Sequence, residues 1–240
     1  MADGFSIGPT PEALMVGRVS QLRLVIFDCD GVLVDSEGIA NRIIARELTM
    51  LGWTMTPADA ERLFLGMTLP DMTPLIEAKI GCRVPDGWRE RIRALFIDVL
   101  GEEVTAIDGA IEALDGVSAL GLPWRIASNS SHEEMRVKFA RIGLTERAAG
   151  RTHSHRDVGR GKPAPDLFLA TAAAQGVLPA ECVVIEDSTT GARAAAAAGM
   201  DCLAYVPHGD GAILRAVGAV PFRSMYNLPT LVGLAARGTE

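Results

Sequence analysis

Aromatic side chains are scarce: tryptophan, tyrosine and phenylalanine together make up 5% of the 240 residues. With hydrophobic residues at 48%, the core must be aliphatic and alanine-rich. Trp53, Trp88 and Trp124 are scattered, so they read as packing residues and not as base-stacking platforms. Basic charge is also short. Lysine and arginine number 23 against 30 acidic residues, a formal net charge of −7. That leaves no basic stripe for nucleic acid, and an anionic substrate would have to meet local positive charge. The four cysteines, Cys29, Cys82, Cys182 and Cys202, have neither CxxC nor zinc-like spacing. Cys182 and Cys202 fall in strand-like runs, where a free thiol is a small core residue. No apolar run approaches membrane-spanning length. Residues 1–20 lack the basic start and apolar stretch of a signal peptide. The expectation is a cytoplasmic protein in a reducing compartment, with neither nucleic acid nor membrane as partner.

What is present begins at Phe27-Asp28-Cys29-Asp30-Gly31-Val32-Leu33-Val34-Asp35-Ser36. It follows an apolar run, Leu22 to Phe27, that reads as a short buried strand. Side chains at i and i+2 of an extended segment point the same way. Asp28 and Asp30 are therefore expected to face one space beyond the carboxyl end of that strand, where open α/β sheets bind ligands. Two neighbouring carboxylates repel unless a cation, a shared proton or a donor holds them. Mg²⁺, a hard cation that takes oxygen ligands, suits them. An Asp-x-Asp standing by itself would read as a polar turn. The glycine that follows and three signals downstream favour a site.

After that loop the periodicity is helical. Ala40, Ile43, Ile44, Leu48 and Leu51 mark one helix. Thr56-Pro57 reads as an N-cap with proline in the first turn, and further helices are expected near Pro70–Ile80 and Arg89–Leu100. No strand is expected between Ser36 and about Ala106. Strands then alternate with helices: a helix over Gly109–Leu120, a strand over Pro123–Ala127, and a helix to about Ile142 that opens on a Ser131/Glu134 capping box. A weaker strand is expected near Gly150–His153 and a helix over Pro165–Gln175. Strand Cys182–Ile185 and a helix ending at Gly199 follow, then strands over Cys202–Val206 and near Ala219–Phe222. This is an α/β parallel sheet with helices on both faces. An all-helical insertion, residues 37–106, follows the first strand. The core is expected over 22–36 and 107–240, with a loose leader over 1–21.

Polar residues recur where strands end and helices begin: Asp28 and Asp30, Ser128 and Asn129, Lys162, and Glu186 and Asp187. In a parallel sheet these points share one edge. Their chemistry fits phosphoryl transfer, which depends on positioning and charge neutralisation. Asp28 can attack phosphorus, and Asp30 can exchange a proton with the leaving oxygen and then with water. Ser128 offers a hydroxyl beside backbone donors, Lys162 is a point charge suited to phosphate, and Glu186 and Asp187 complete a magnesium shell. Each has a plainer reading when taken singly: turn serine, solvated lysine, helix-start acids. His153-x-His155 shows no third ligand nearby and reads as a solvated loop. Gly159-Arg160-Gly161-Lys162-Pro163-Ala164 formally fits G-x-G-x-x-A, but it reads as the lysine loop and not as a dinucleotide site.

On these residues the chain resembles the haloacid dehalogenase superfamily. Asp28-Cys29-Asp30-Gly31-Val32-Leu33-Val34-Asp35-Ser36 matches the first motif and Ser128-Asn129 the second. Gly161-Lys162-Pro163-Ala164-Pro165-Asp166 matches the third and Glu186-Asp187-Ser188-Thr189-Thr190-Gly191 the fourth. It is most similar to the β-phosphoglucomutase-like branch, with a helical cap inserted after motif one. The resemblance implies a Rossmann-like core, Mg²⁺ and an aspartyl-phosphate on Asp28. Asp30 would be acid/base and a metal ligand through its backbone carbonyl. Ser128, with Asn129 beside it, and Lys162 would hold phosphate, and Asp187, often with Glu186, would bind the metal. Asp30 argues against the dehalogenase branch, which lacks the second aspartate. The mutases carry a histidine where Ala40 stands, and Lys and Arg around a cap segment that here reads Leu65-Gly66-Met67-Thr68-Leu69. Leucines cannot hold a second phosphate. The expected function is therefore a phosphatase acting on a small phosphorylated metabolite, with Leu65–Leu69 as a specificity loop. A sugar phosphomutase is the alternative, and a non-catalytic module with this fold stands third.

Overall fold

The computed structural model describes residues 22–64, 67 and 69–237. At its centre lies β1, Leu24–Phe27, whose four residues Leu-Val-Ile-Phe are all buried. A strand covered on both faces needs such a continuous apolar run. Leu24 and Ile26 pack into one core cluster, with Leu167, Phe168, Ala192, Ala194, Ala195 and Ala198. Val25 and Phe27 pack into the other, with Ala113, Leu114 and Val117. The remaining strands of the sheet are β4 (Trp124–Ser128), β5 (Thr152–Ser154), β6 (Cys182–Glu186), β7 (Asp201–Tyr205) and β8 (Val220–Phe222). The six-stranded sheet runs β5-β4-β1-β6-β7-β8, and every neighbouring pair is parallel.

This order has a functional consequence. From β1 the chain builds outward through β4 and β5, then returns to β6 on the other side of β1. The strand order thus reverses at β1, and β1 is flanked by β4 and β6. Crevices at the carboxyl ends of such reversals are where α/β sheets take ligands.

The insertion holds four helices: α1 (Glu37–Met50), α2 (Pro57–Phe64), α3 (Leu69–Ile80) and α4 (Trp88–Glu103). Thr56 and Asp59 cap α2 reciprocally: Asp59 N donates to Thr56 Oγ1 (3.1 Å), and Thr56 N donates to Asp59 Oδ2 (3.1 Å). The core helices are α5 (Ala110–Ala119), α6 (His132–Arg141), α7 (Thr145–Ala148), α8 (Asp166–Gln175), α9 (Thr189–Ala198), α10 (Ala212–Ala216) and α11 (Leu228–Arg237). The expected Ser131/Glu134 capping box opens α6, and α9 ends on left-handed Gly199.

Two features differ from expectation. A short antiparallel ribbon, β2 (Val34–Asp35) with β3 (Thr105–Ala106), closes the base of the insertion. Two-residue strands leave no periodicity to read. Helices α7, α10 and α11 were not anticipated; two are too short for a clear stripe, and α11 opens on Leu228-Pro229. The leader expected over 1–21 lies outside the described residues.

Candidate active site

Strand ends bring the first cluster together. Asp28 follows β1 directly, and its N–H donates to Ile185 O (2.9 Å), tying the tip of β1 to β6. Glu186 is the last residue of β6 and is fully buried. Lys162, in the loop before α8, reaches between them. Its Nζ lies 2.9 Å from Asp28 Oδ1 and 2.6 Å from Glu186 Oε1. Three ionisable groups buried this deeply persist only as a compensated set. Burial would lower Lys162, but the charges of Asp28 and Glu186 outweigh it and hold the ammonium above its usual range. Glu186 is held low despite burial, by Lys162 and by donors from Ser188. For Asp28, burial dominates and pushes the carboxyl up to about 8; Glu186 and Asp30 add to this, and Lys162 opposes it. Such a group lacks a further positive charge.

Ligand oxygens of Asp28, Glu186 and Asp187 lie within 4.8 Å of one another, an all-carboxylate set of the kind that holds a hard divalent cation. The three are not equivalent. Glu186 Oε1 takes Lys162, and Oε2 accepts from Asp187 N (3.1 Å), Ser188 N (3.1 Å) and Ser188 Oγ (2.9 Å). Two glycines clear space for this arrangement. A Cβ on Gly31 would collide with the Asp187 carboxylate, and one on Gly191 would collide with that of Glu186. Gly31 also sits at φ +73°.

The second motif joins through Asn129. Its Oδ1 accepts from Lys162 N (2.9 Å), and its Nδ2 donates to Lys162 O (3.0 Å), so the lysine loop is clamped to the end of β4. Ser128 ends β4 and is buried, with its Oγ accepting from Ser130 N (3.0 Å). The Lys162–Pro163 peptide is cis.

Asp30 has partners that the sequence reading missed. Lys138 Nζ, 1% exposed on α6, lies 2.7 and 2.9 Å from its two carboxylate oxygens. Ser130 Oγ donates to Oδ2 (2.7 Å), and Ser36 Oγ donates to Oδ1. Burial would raise Asp30, but Lys138 first and the hydroxyl donors after it hold the carboxyl below its ordinary value. The signal was present: Met135, Lys138 and Phe139 form the buried stripe of α6, and a lysine in such a stripe requires an acid to meet it.

A cavity of about 360 Å³ opens between insertion and core, lined by Asn129 on the core side and by Ala40, Met67 and Leu69 on the cap side. Of the expected specificity loop, Leu65, Gly66 and Thr68 lie outside the described residues. His153 and His155 are not a solvated loop. His153 lies on β5 with its ring 3.1 Å from Arg125 Nη1, and His155 lines the cavity.

A family model for haloacid dehalogenase-like hydrolases matches residues 22–199. The chain belongs to that family. Hexitol phosphatase A of Escherichia coli (strain K12) is 31% identical over 196 residues, which cover 81% of this chain and 88% of that protein. The 6-phosphogluconate phosphatase of the same organism is 28% identical over 193 residues, 79% and 86% of the two chains. Among solved structures, a HAD family hydrolase from Deinococcus radiodurans R1, with bound phosphate and sodium, is similar at TM-score 0.76 and 33% identity. That match covers 91% of this chain and 98% of the other. β-Phosphoglucomutase-like proteins are also among the structural neighbours. The haloacid dehalogenase fold accounts for the parallel sheet with its helical insertion, and the chain is a hydrolase whose curated relatives include several named phosphatases.

Proposed function

We propose that this chain is a Mg²⁺-dependent phosphatase that hydrolyses a small phosphorylated metabolite, a sugar phosphate or related monoester, through an aspartyl-phosphate on Asp28. The observation that carries this reading is the buried Lys162 ammonium. It is shared between Asp28 and Glu186, and a third carboxylate, that of Asp187, has a ligand oxygen within 4.8 Å of theirs.

Asp28 is the nucleophile. Its oxygen bonds to phosphorus while the ester P–O bond breaks, and Asp30, having taken up a proton against the pull of Lys138, gives it to the departing oxygen. Water then attacks the aspartyl-phosphate, Asp30 takes a proton from it, and inorganic phosphate leaves with Asp28 restored. Four donor contacts occupy the Asp30 carboxylate, so proton exchange requires one to yield. The Ser36 and Ser130 hydroxyls can do so, because a hydroxyl that turns about its C–O bond accepts where it had donated. Lys162, with Ser128 and the backbone at Asn129, holds the phosphoryl oxygens. Asp28, Asp187 and the Asp30 backbone carbonyl would hold Mg²⁺, which supplies charge against the negative charge on the transferring group. Glu186 is assigned chiefly to Lys162, since both of its oxygens are engaged. Met67 and Leu69 are uncharged in the cap segment where the mutases carry Lys and Arg, which favours a phosphatase over a mutase.

Asp28→Asn tests the reading with p-nitrophenyl phosphate and magnesium. The expected loss is about a thousandfold or more, with a wild-type circular dichroism spectrum. Undiminished turnover in that variant would remove Asp28 as nucleophile. Conversion of β-glucose 1-phosphate into glucose 6-phosphate without free phosphate, with a bisphosphate activator, would make the enzyme a mutase instead.

A further inference from the structure

The cavity between insertion and core carries charge that the phosphoryl chemistry does not use. Arg93 of α4 lines it from the cap side, and Arg156, in the turn after β5, lines it from the core side. Both side chains are exposed, and neither guanidinium has an ion pair or hydrogen bond among the described residues. The acid on the same lining, Glu134, is occupied: its Oε2 accepts from Ser131 N (2.6 Å) and Ser131 Oγ (2.7 Å) in the cap of α6. Much of the remaining wall, including Ile43, Ile44, Met72 and Phe96, is apolar.

This cavity adjoins the phosphate end of the site. Asn129 lines it, and Asn129 is clamped by two hydrogen bonds to Lys162, whose Nζ holds Asp28. A phosphate monoester whose phosphorus meets Asp28 therefore has this cavity beside it for its alcohol portion. In a protein of net charge −7, two unpaired arginines lining one cavity, one from the cap and one from the core, suit an anion. A neutral polyol would leave both guanidinia to solvent.

We propose that Arg93 and Arg156 select substrates whose alcohol portion carries a second anionic group, a carboxylate or a second phosphate, with the two arginines gripping it from cap and core. The inference rests on the phosphatase reading and narrows its substrate class. The anion would bridge the two lobes, so substrates of this class would also draw the insertion toward the core.

The test measures kcat/KM for 6-phosphogluconate, glucose 1,6-bisphosphate and glucose 6-phosphate, with p-nitrophenyl phosphate as a reference. One of the two doubly anionic esters is expected to exceed glucose 6-phosphate by about tenfold or more, the scale of a charge-assisted contact. Preference for the sugar acid identifies a carboxylate as the occupant, and preference for the bisphosphate identifies a phosphate. Arg93→Gln and Arg156→Gln should each shrink the ratio of anionic to neutral ester, mainly through KM, and Arg93→Lys should restore part of it. Equal rates on charged and neutral esters would overturn the inference and leave the phosphatase standing. So would a preference that survives in the double Arg93→Gln/Arg156→Gln variant. Hydrolysis of none of the four esters would bring down both readings.

Discussion

At the residue scale, Asp30 and Lys138 show how a buried charge reveals its partner. Removing Lys138 leaves a mostly buried carboxylate with two hydroxyl donors and no counter-charge. Lys138→Met is expected to cost about 2–4 kcal/mol, toward the lower part of the range for breaking buried pairs because the Asp30 side chain is 32% exposed. Urea denaturation measures it. The pair also sets an acid limit. A carboxyl held below its ordinary value of 3.8 stabilises the fold above that pH, and the stabilisation is lost as pH falls through the depressed value. Lys138, held above 10.5, is charged throughout that window. Wild-type stability should therefore drop more steeply below pH 4 than that of Lys138→Met. Gly31 carries a second prediction. Alanine there would take a left-handed backbone and push into the Asp187 carboxylate. Gly31→Ala should lose about 1–2 kcal/mol and bind Mg²⁺ more weakly by isothermal titration calorimetry, whereas Gly52→Ala, also at positive φ but with open space around it, should leave Mg²⁺ affinity unchanged. Asp28, Asp30, Lys162 and Asp187 were legible because each stands at the end of a strand or the start of a helix. Lys138, Arg93 and Arg156 were not, because their meaning lies in which distant surface each helix or turn faces.

At the element scale, legibility followed length and burial. β1 and β6 read clearly because both faces of each are covered, so their residues are almost all apolar. α6 was announced by Ser131 and Glu134, whose reciprocal bonds form as the spacing requires. Ser131→Ala should cost about 1 kcal/mol in thermal or urea unfolding. It should also reduce phosphatase turnover, since α6 is the helix that delivers Lys138 to Asp30. The ribbon β2–β3 escaped because its two halves are separated by the whole insertion. Only pairing in space makes Val34 and Ala106 neighbours.

At the scale of the whole molecule, the strand order explains why scattered motifs share one edge: β4, β1 and β6 stand side by side. Sequence alternation implied a parallel sheet, but it could not say that β1 is central. That order appears only when β6 is seen to return to the far side of β1. A cation bound there would tie the ends of β1 and β6 and stabilise the native state by mass action, by about 2.7 kcal/mol at a hundredfold excess over Kd. Adding Mg²⁺ should therefore raise Tm, and Asp187→Asn should abolish most of the rise; differential scanning calorimetry decides it.

The ribbon at the base of the insertion makes the entire helical lobe, topologically, the loop of a β-hairpin. Asp35 and Thr105 stand opposite each other in an antiparallel pair, a separation that a two-residue turn can span. Lobes of other size and chemistry can be spliced between those two residues without rewiring any strand of the sheet, so such enzymes can change their diet by exchanging one cassette while the catalytic floor stays as it is.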